Sequence, residues 1–204
     1  MQSLIVGDYL PAFPAACKRF VRSAEEMVSD FSDFQEQDDF PAIDLESDVY
    51  YVGQAMRQAQ KAYLADEVPI GAIIVQGRSI IARSHNMVET LKDATAHSEM
   101  LALTQAQESV GDWRLTDCDL YVTKEPCPMC AGAILHCRIR RVIFGCRDER
   151  GGAAGGFINL LQLPNLNHFS EVTPGVLEQE SALLLKHFFA EARAKSETKR
   201  KSNS

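Results

Sequence analysis

Two short motifs carry the side chains of this chain that are best suited to chemistry. The first is His97-Ser98-Glu99, and the second is Pro126-Cys127-Pro128-Met129-Cys130. A Cys-x-x-Cys spacing at the start of a helix places two sulfurs on one turn, where one Zn²⁺ ion at about 2.3 Å can bind both. His97 supplies a third, nitrogen ligand. Three protein ligands leave a fourth position open for water or hydroxide, as in catalytic sites, so we predict one zinc ion per subunit.

Glu99 indicates what such a site would do. Only one residue separates it from His97, and two thiolates are already available, so a role other than metal ligand is favoured. A carboxylate beside an activated water can remove its proton and return it to a leaving group. Cys137 lies about 10 Å beyond Cys130 along a helix, too far to close the open position. Glu99 is therefore the predicted catalytic residue.

The elements that must position these motifs follow from periodicity and turn residues. Apolar residues recur at helical spacing over 48–64, with Asp48 as the expected cap. Two β-rich runs on either side of Gln76-Gly77-Arg78 predict a hairpin. The remaining predictions are helices over 96–109, 128–137 and 176–195 and strands over 120–123, 141–145 and 171–173. This order predicts an α/β three-layer sandwich, with a central mixed five-stranded sheet flanked by helices.

Charge is divided unevenly along the chain. The formal net charge is −7, but residues 1–48 hold eleven acids and three bases, and the rest of the chain has a net charge of +1. An acidic total argues against nucleic-acid binding, whereas a near-neutral domain with basic residues concentrated after Arg138 does not. We therefore predict an acidic, disordered extension over 1–47, a catalytic domain over 48–195 and a basic polar tail over 196–204.

Composition excludes several classes of protein. Hydrophobic residues make up 46% of the chain and charged residues 24%, which is typical of a globular protein with a core. No apolar run approaches the roughly 18 residues that span a bilayer. The first apolar segment precedes its positive charges, the reverse of a secretory signal. Six cysteines at irregular spacings favour a reducing compartment. We expect a cytoplasmic protein with no membrane partner.

The two motifs belong to a longer pattern that resembles a known family. The pattern extends over roughly residues 49–195 and includes the segments 67–72, 85–86, 125–133, 144–148 and 151–156. It is similar to the bacterial tRNA-specific adenosine deaminases (TadA type) of the zinc-dependent cytidine/deoxycytidylate deaminase superfamily. The resemblance implies a cytidine deaminase-like fold and a homodimer. It also implies hydrolytic deamination of the wobble adenosine to inosine in the anticodon of an arginine tRNA.

The resemblance further implies which residues contact the anticodon stem-loop. The flipped nucleoside is expected to contact Asn86, Pro69 and Ile70. The surrounding nucleotides are expected to contact Arg147, Asp148, Asn167, His168, Phe188 and Phe189. Unstacked bases offer edges and faces to polar and aromatic side chains of this kind. The chain departs from the family pattern at Ser98, which replaces the commoner alanine and adds a hydroxyl beside the expected metal.

Several alternatives remain at this stage. A guanine or nucleotide deaminase acting on a small molecule would share the core motifs, although Arg147-Asp148 and the long final helix favour RNA. A non-catalytic, zinc-stabilised tRNA-binding subunit would have no need of a proton shuttle such as Glu99. The acidic extension is an inert tail, a start-site artefact or a mobile polyanion that competes with tRNA.

Overall fold

A computed structural model describes Asp44 and residues 47–202. The predicted extension over 1–47 therefore lies outside the described residues, except at Asp44 and Ser47. The helices are α1 (Asp48–Leu64), α2 (Val88–Leu91), α3 (Ser98–Val110), α4 (Pro128–Cys137) and α5 (Glu178–Ser202). The strands are β1 (Gly71–Gln76), β2 (Ser79–His85), β3 (Cys118–Lys124), β4 (Arg141–Cys146) and β5 (Glu171–Thr173).

The strands form one mixed sheet in the order β2-β1-β3-β4-β5. β1 runs antiparallel to both β2 and β3, whereas β3, β4 and β5 are parallel. Helices α1 and α5 pack on one face, and α3 and α4 pack on the other. The predicted three-layer α/β fold is confirmed. Because β1 opposes its neighbours, β2, β3 and β4 end where β1 begins, and we call this end of the sheet the site end.

Both faces of the sheet are buried, which explains why its central strands are almost wholly apolar. On β1, Ile73 and Val75 pack beneath Tyr51 of α1, whereas Ile74 faces the other layer. Phe144 of β4 is fully buried in that second layer. Adjacent residues of a strand point to opposite faces, so a continuous apolar run serves both layers at once.

Helix α1 has the predicted bounds but a different cap. The hydroxyl of Ser47 accepts a hydrogen bond from the backbone N–H of Tyr50 at 3.2 Å, so Ser47 is the N-cap. The prediction that Asp48 caps this helix is wrong. The Asp48 carboxylate instead pairs with Arg141 at 2.9 Å and accepts a hydrogen bond from the Tyr121 hydroxyl at 3.1 Å. These contacts tie the start of α1 to β3 and β4.

Two of the arginines that follow Arg138 pair with carboxylates of the fold. Arg140 makes two hydrogen bonds to the Asp119 carboxylate, at 2.9 and 2.8 Å, and Arg141 pairs with Asp48. Both arginines lie at the start of β4, about 17 Å along the strand from the site end. Arg140 and Arg141 therefore form ion pairs at the end of the sheet opposite the site end.

Element boundaries differ from the predictions mainly near the C-terminus. Helix α5 continues through Ser202, so the predicted tail over 196–204 begins as helix. The four-residue helix α2 was not predicted, since so short a segment carries no periodic signal. No helix in the described part of the chain is long and apolar enough to cross a membrane.

Close packing between α1 and β1 requires a glycine at position 71. A Cβ atom there would lie 2.2 Å from the carbonyl oxygen of Ala55 and 2.4 Å from the nitrogen of Ala59. We expect Gly71→Ala to lower the free energy of unfolding by at least about 1–3 kcal/mol, because the backbone of α1 must move.

Gly53→Ala is the matched control, because a Cβ atom at this position of α1 would meet nothing within 4 Å. Removing a helical glycine is expected to stabilise the protein by roughly 0.5–1 kcal/mol. Thermal denaturation of the two variants measures the difference. Equal melting temperatures would contradict the close approach at Gly71.

Candidate metal centre and active site

Two helix starts at the site end bring the sequence motifs together. His97 is the N-cap residue of α3, Cys127 is the N-cap residue of α4, and Cys130 lies in the first turn of α4. Pro128 occupies the first turn of α4, where its fixed φ suits the helix and its missing N–H is not needed. A helix start also favours a thiolate, because its unpaired N–H groups carry partial positive charge.

The three candidate ligand atoms form a compact triangle. The Sγ atoms of Cys127 and Cys130 are 3.6 Å apart, and they lie 3.6 and 3.5 Å from Nδ1 of His97. Around one tetrahedral ion with metal–sulfur bonds of about 2.3 Å, neighbouring ligand atoms lie roughly 3.5–3.8 Å apart. Two thiols and an imidazole also suit a borderline-soft divalent metal. Both the spacing and the donor set therefore fit a metal ion.

No fourth histidine, cysteine or carboxylate ligand joins this triangle within residues 47–202. Cys137, which the sequence placed too far along α4, instead contacts the side-chain amide of Gln107 at 3.0 Å. The five cysteines that the structure describes are all free thiols. A metal in the triangle would thus keep a position open for a reacting molecule.

The ligand groups differ in how readily they lose a proton. A hydrogen bond from the Cys130 thiol, helped by His97, lowers the pKa of Cys127 to about 4. The pKa of Cys130 is raised because its thiol donates to Cys127 and is buried. The hydrogen bond with Cys127 raises the pKa of His97. Metal binding must therefore release the proton of Cys130, and it must bind His97 as a neutral imidazole.

Glu99 lies beside the triangle in the first turn of α3. Its side chain is only 4% exposed, and burial raises the pKa of the carboxyl group. The Ser98 hydroxyl donates a hydrogen bond to Oε2 of Glu99 at 2.9 Å, and the Ser98 carbonyl accepts one from the Ser84 hydroxyl at 2.6 Å. The extra hydroxyl at position 98 therefore contacts Glu99 directly and helps to fix the orientation of its carboxylate.

Glu125 holds the glycine-rich loop against the second motif. It immediately precedes Pro126, is 3% exposed, and accepts hydrogen bonds from three backbone N–H groups of the loop. The donors are Asp148 at 2.9 Å, Ala154 at 2.9 Å and Gly156 at 2.7 Å. The run of glycines over 151–156 follows from this contact, because a Cβ atom at Gly152 or Gly156 would lie 2.3 Å from atoms of the Glu125 carboxylate.

Comparison with known proteins supports one family. The profile of the MafB19-like deaminase family matches residues 46–193. A tRNA-specific adenosine deaminase from Bacillus subtilis (strain 168) is 47% identical over 155 residues, which cover 76% of this chain and 96% of that protein. The chain belongs to the tRNA-specific adenosine deaminase family. Its counterpart from Agrobacterium fabrum (strain C58) is 43% identical, over 71% of this chain and 95% of that one.

A solved structure agrees with this assignment. A structure from a study of A-to-I editing by tRNA:A34 deaminases, at the wobble position of transfer RNA, has a TM-score of 0.64 and 42% sequence identity. The match covers 66% of this chain and 98% of that structure. This chain therefore contains a counterpart for almost all of that structure.

Three residues that the family resemblance assigned to the target nucleoside lie together at the site end. Pro69 is buried and Ile70 is half-buried immediately before β1. Asn86 follows β2, is 4% exposed, and its backbone N–H donates to the Ile70 carbonyl at 2.9 Å. The next residue, Met87, donates to the carbonyl of Ala96 at 3.0 Å, which brings this group beside His97.

The residues assigned to the surrounding nucleotides are more widely spread. Arg147 is exposed after β4, whereas the Asp148 carboxylate pairs with Lys124 and accepts backbone N–H groups of its own loop. Asn167 and His168 line a cavity of about 190 Å³ beside the C-terminal half of α4. His168 is further held by a 2.8 Å contact between its Nε2 and the Ile139 carbonyl. Asp148 thus shapes the loop, and Arg147 faces solvent.

The adjacent phenylalanines of α5 have different surroundings. The ring of Phe188 is half-buried and packs edge-on against Tyr63 of α1, with 5.8 Å between ring centroids. Phe189 is 45% exposed. Phe188 therefore joins α5 to α1, and Phe189 is the aromatic side chain of the pair that a ligand can reach.

Glu67 and Glu125 lie in the segments 67–72 and 125–133 of the family pattern, but the sequence predicted no role for either residue. Both side chains are almost fully buried and accept several backbone N–H groups. The signal that could have found them is local: each acid stands beside an apolar strand, one or two residues before a proline. A charged residue in such a place is seldom on the surface, and burial demands hydrogen-bond partners.

We expect Glu125→Gln to destabilise the protein by about 2–4 kcal/mol, because one side of the amide would present N–H groups to backbone N–H donors. Urea denaturation measures the change. Glu149→Gln is the matched control, because it replaces a glutamate by glutamine at an exposed position of the same loop. Equal stability of the two variants would contradict the role given to Glu125.

Proposed function

We propose that the protein hydrolyses the wobble adenosine of a tRNA anticodon to inosine and releases ammonia. The observation that carries the proposal is the buried Glu99 carboxylate beside the triangle of His97, Cys127 and Cys130. This arrangement occurs in a chain that is 47% identical to a protein named tRNA-specific adenosine deaminase. The assignment to an arginine tRNA rests on the resemblance of the sequence motifs alone.

We further propose that the metal is zinc, one ion per subunit, with His97, Cys127 and Cys130 as its ligands. The donor set and the 3.5–3.6 Å spacings support this choice. When bound, zinc supplies an activated water that can act as a nucleophile at neutral pH.

In this proposal Glu99 is the general base and acid. Its carboxylate takes one proton from the water that adds to C6 of adenine and delivers it to the ring nitrogen N1. It then takes the second proton from the hydroxyl group on C6 and delivers it to the amino group, which leaves as ammonia. The hydrogen bond from Ser98 holds Oε2 in place during these transfers. Burial excludes competing water from the carboxylate, because only 4% of the side chain is exposed. Adenosine and water are consumed, and inosine and ammonia are formed.

The anticodon loop is proposed to open so that the target base enters at the site end. Asn86, Pro69 and Ile70 would bind the flipped nucleoside, and their proximity to one another and to His97 supports this role. The nucleotides around it would contact Arg147, Asp148, Asn167, His168, Phe188 and Phe189. Among these, the exposure of Arg147 and Phe189 suits direct contact with phosphate or bases.

We also propose a homodimer in the cytoplasm. The segment 157–169 exposes large apolar side chains, which is a common property of subunit interfaces. These residues are Phe157, Ile158, Leu163, Leu166 and Phe169. The proposed domain organisation is a deaminase domain over 48–195 between the acidic extension and the basic tail, and the family match over 46–193 supports it.

The proposed function is tested with the metal-loaded protein and two substrates. One is the anticodon stem-loop of an arginine tRNA with adenosine at the wobble position, and the other is free guanine. Mass analysis of the RNA is expected to show a gain of inosine, and guanine is expected to remain unchanged. Turnover of guanine alone would instead identify a small-molecule deaminase. Binding of RNA without turnover would identify a non-catalytic subunit.

We expect Glu99→Gln to lower the rate of inosine formation by about 10²- to 10⁴-fold, because the amide cannot transfer the protons. Metal content is expected to stay unchanged, since Glu99 is outside the ligand triangle. Glu108→Gln on the exposed face of the same helix is the control and should retain activity. Full activity of Glu99→Gln would remove Glu99 from the assigned role.

Cys127→Ser is expected to lose the metal, because a hydroxyl replaces one of two sulfur ligands. Elemental analysis should find about one zinc per chain in the unaltered protein and well below one in the variant. Cys137→Ser is the control, since Cys137 lies on the same helix but outside the triangle, and it should keep its zinc. Loss of zinc from both variants, or from neither, would contradict the ligand set.

A further inference from the structure

Glu67 is a buried acid to which neither the metal centre nor the proton transfers give a role. Helix α1 ends at Leu64, and Asp66 then adopts a left-handed conformation with φ of 58°. This turn lets the backbone N–H of Glu67 donate to the Ala62 carbonyl at 2.9 Å. The chain reverses and carries the Glu67 side chain inward, where it has no exposed surface.

The carboxylate of Glu67 gathers donors from the segment that follows β2. Its Oε1 accepts the backbone N–H of Thr90 at 2.6 Å. Its Oε2 accepts the backbone N–H of Glu89 at 3.2 Å and the side-chain amide of Asn86, through Nδ2, at 3.0 Å. Burial raises the pKa of Glu67, but these hydrogen bonds outweigh it and hold the pKa below its usual value. The group is therefore ionised at neutral pH and can only accept.

We propose that Glu67 is a positioning residue that fixes the orientation of the Asn86 amide toward the substrate. An asparagine amide can be turned either way, and the two orientations exchange a donor for an acceptor. Because an ionised carboxylate only accepts, Nδ2 must face Glu67. The amide oxygen and the second N–H are then left for the ligand, and the structure gives that oxygen no donor among the described residues. This inference rests on the proposed function, in which Asn86 binds the flipped nucleoside.

The geometry also shows why glutamate, and not glutamine, suits position 67. A glutamine would keep its oxygen at the shortest bond, toward the N–H of Thr90, and turn its NH₂ group toward Asn86. Asn86 would then have to rotate its amide and present the NH₂ group to the substrate in place of the oxygen. The isosteric change therefore alters the polarity that position 86 shows to a nucleoside. It also turns the new NH₂ group toward the backbone N–H of Glu89, so it lowers stability as Glu125→Gln does.

The test is a double-mutant cycle on deamination of the anticodon stem-loop, with Glu67→Gln, Asn86→Ala and the double variant. We expect Glu67→Gln to lower kcat/KM by about tenfold, mainly through KM, because a substrate hydrogen bond is lost. In the Asn86→Ala background the same change should matter by less than about twofold, since there is no amide left to orient. Glu89→Gln is the control, because Glu89 is exposed and contacts Glu67 only through its backbone.

Equal losses in both backgrounds would overturn the proposal and leave Glu67 a purely structural role. A second readout needs no activity. In ¹⁵N spectra of the full chain, one side-chain N–H of Asn86 should exchange slowly and lose this protection in Glu67→Gln. If the unaltered protein does not act on RNA, the proposed function fails. The slow exchange of the Asn86 side-chain N–H still decides whether Glu67 orients the Asn86 amide. An Asn86 amide unaffected by Glu67→Gln would overturn the inference in either case.

Discussion

A carboxylate that is removed from water must find hydrogen-bond donors inside the protein, and two glutamates impose this requirement on the site end. Glu67 and Glu125 are 0% and 3% exposed. Glu67 takes two backbone donors from the short helix α2, and Glu125 takes three from the glycine-rich loop. Each segment must therefore curl around its carboxylate. The segment after β2 and the glycine-rich loop after β4 acquire their shapes in this way, and between them lie the candidate ligands and Glu99.

The sheet determines which loops can meet. β2, β3 and β4 end where β1 begins, so residues far apart in sequence share one end of the molecule. Helices α3 and α4 start there as well, and each has a candidate ligand as its N-cap residue. The ion pairs of Arg140 and Arg141 stabilise the opposite end. The candidate ligands and Glu99 thus lie at one end of the strands, and the ion pairs of Arg140 and Arg141 lie at the other.

Much of this arrangement could be predicted from local patterns, and the rest could not. Helix 128–137 and strand 171–173 have the predicted bounds, and the spacing of His97, Cys127 and Cys130 predicted their grouping. The cap of α1 was mispredicted because Asp48 pairs with Arg141, 93 residues away. The roles of Glu67 and Glu125 were missed because their partners are backbone N–H groups up to 31 residues distant, which no side-chain pattern reveals.

The claim that buried carboxylates fix the loops is tested most directly by native-state hydrogen exchange on the full chain. We expect the backbone N–H groups of Thr90, Ala154 and Gly156 to exchange as slowly as those of the central strands, through global unfolding. The N–H groups of exposed loop residues should exchange far faster. Exchange of Thr90, Ala154 and Gly156 at the rate of exposed loops would contradict this claim, because α2 and the glycine-rich loop would then open without breaking the core.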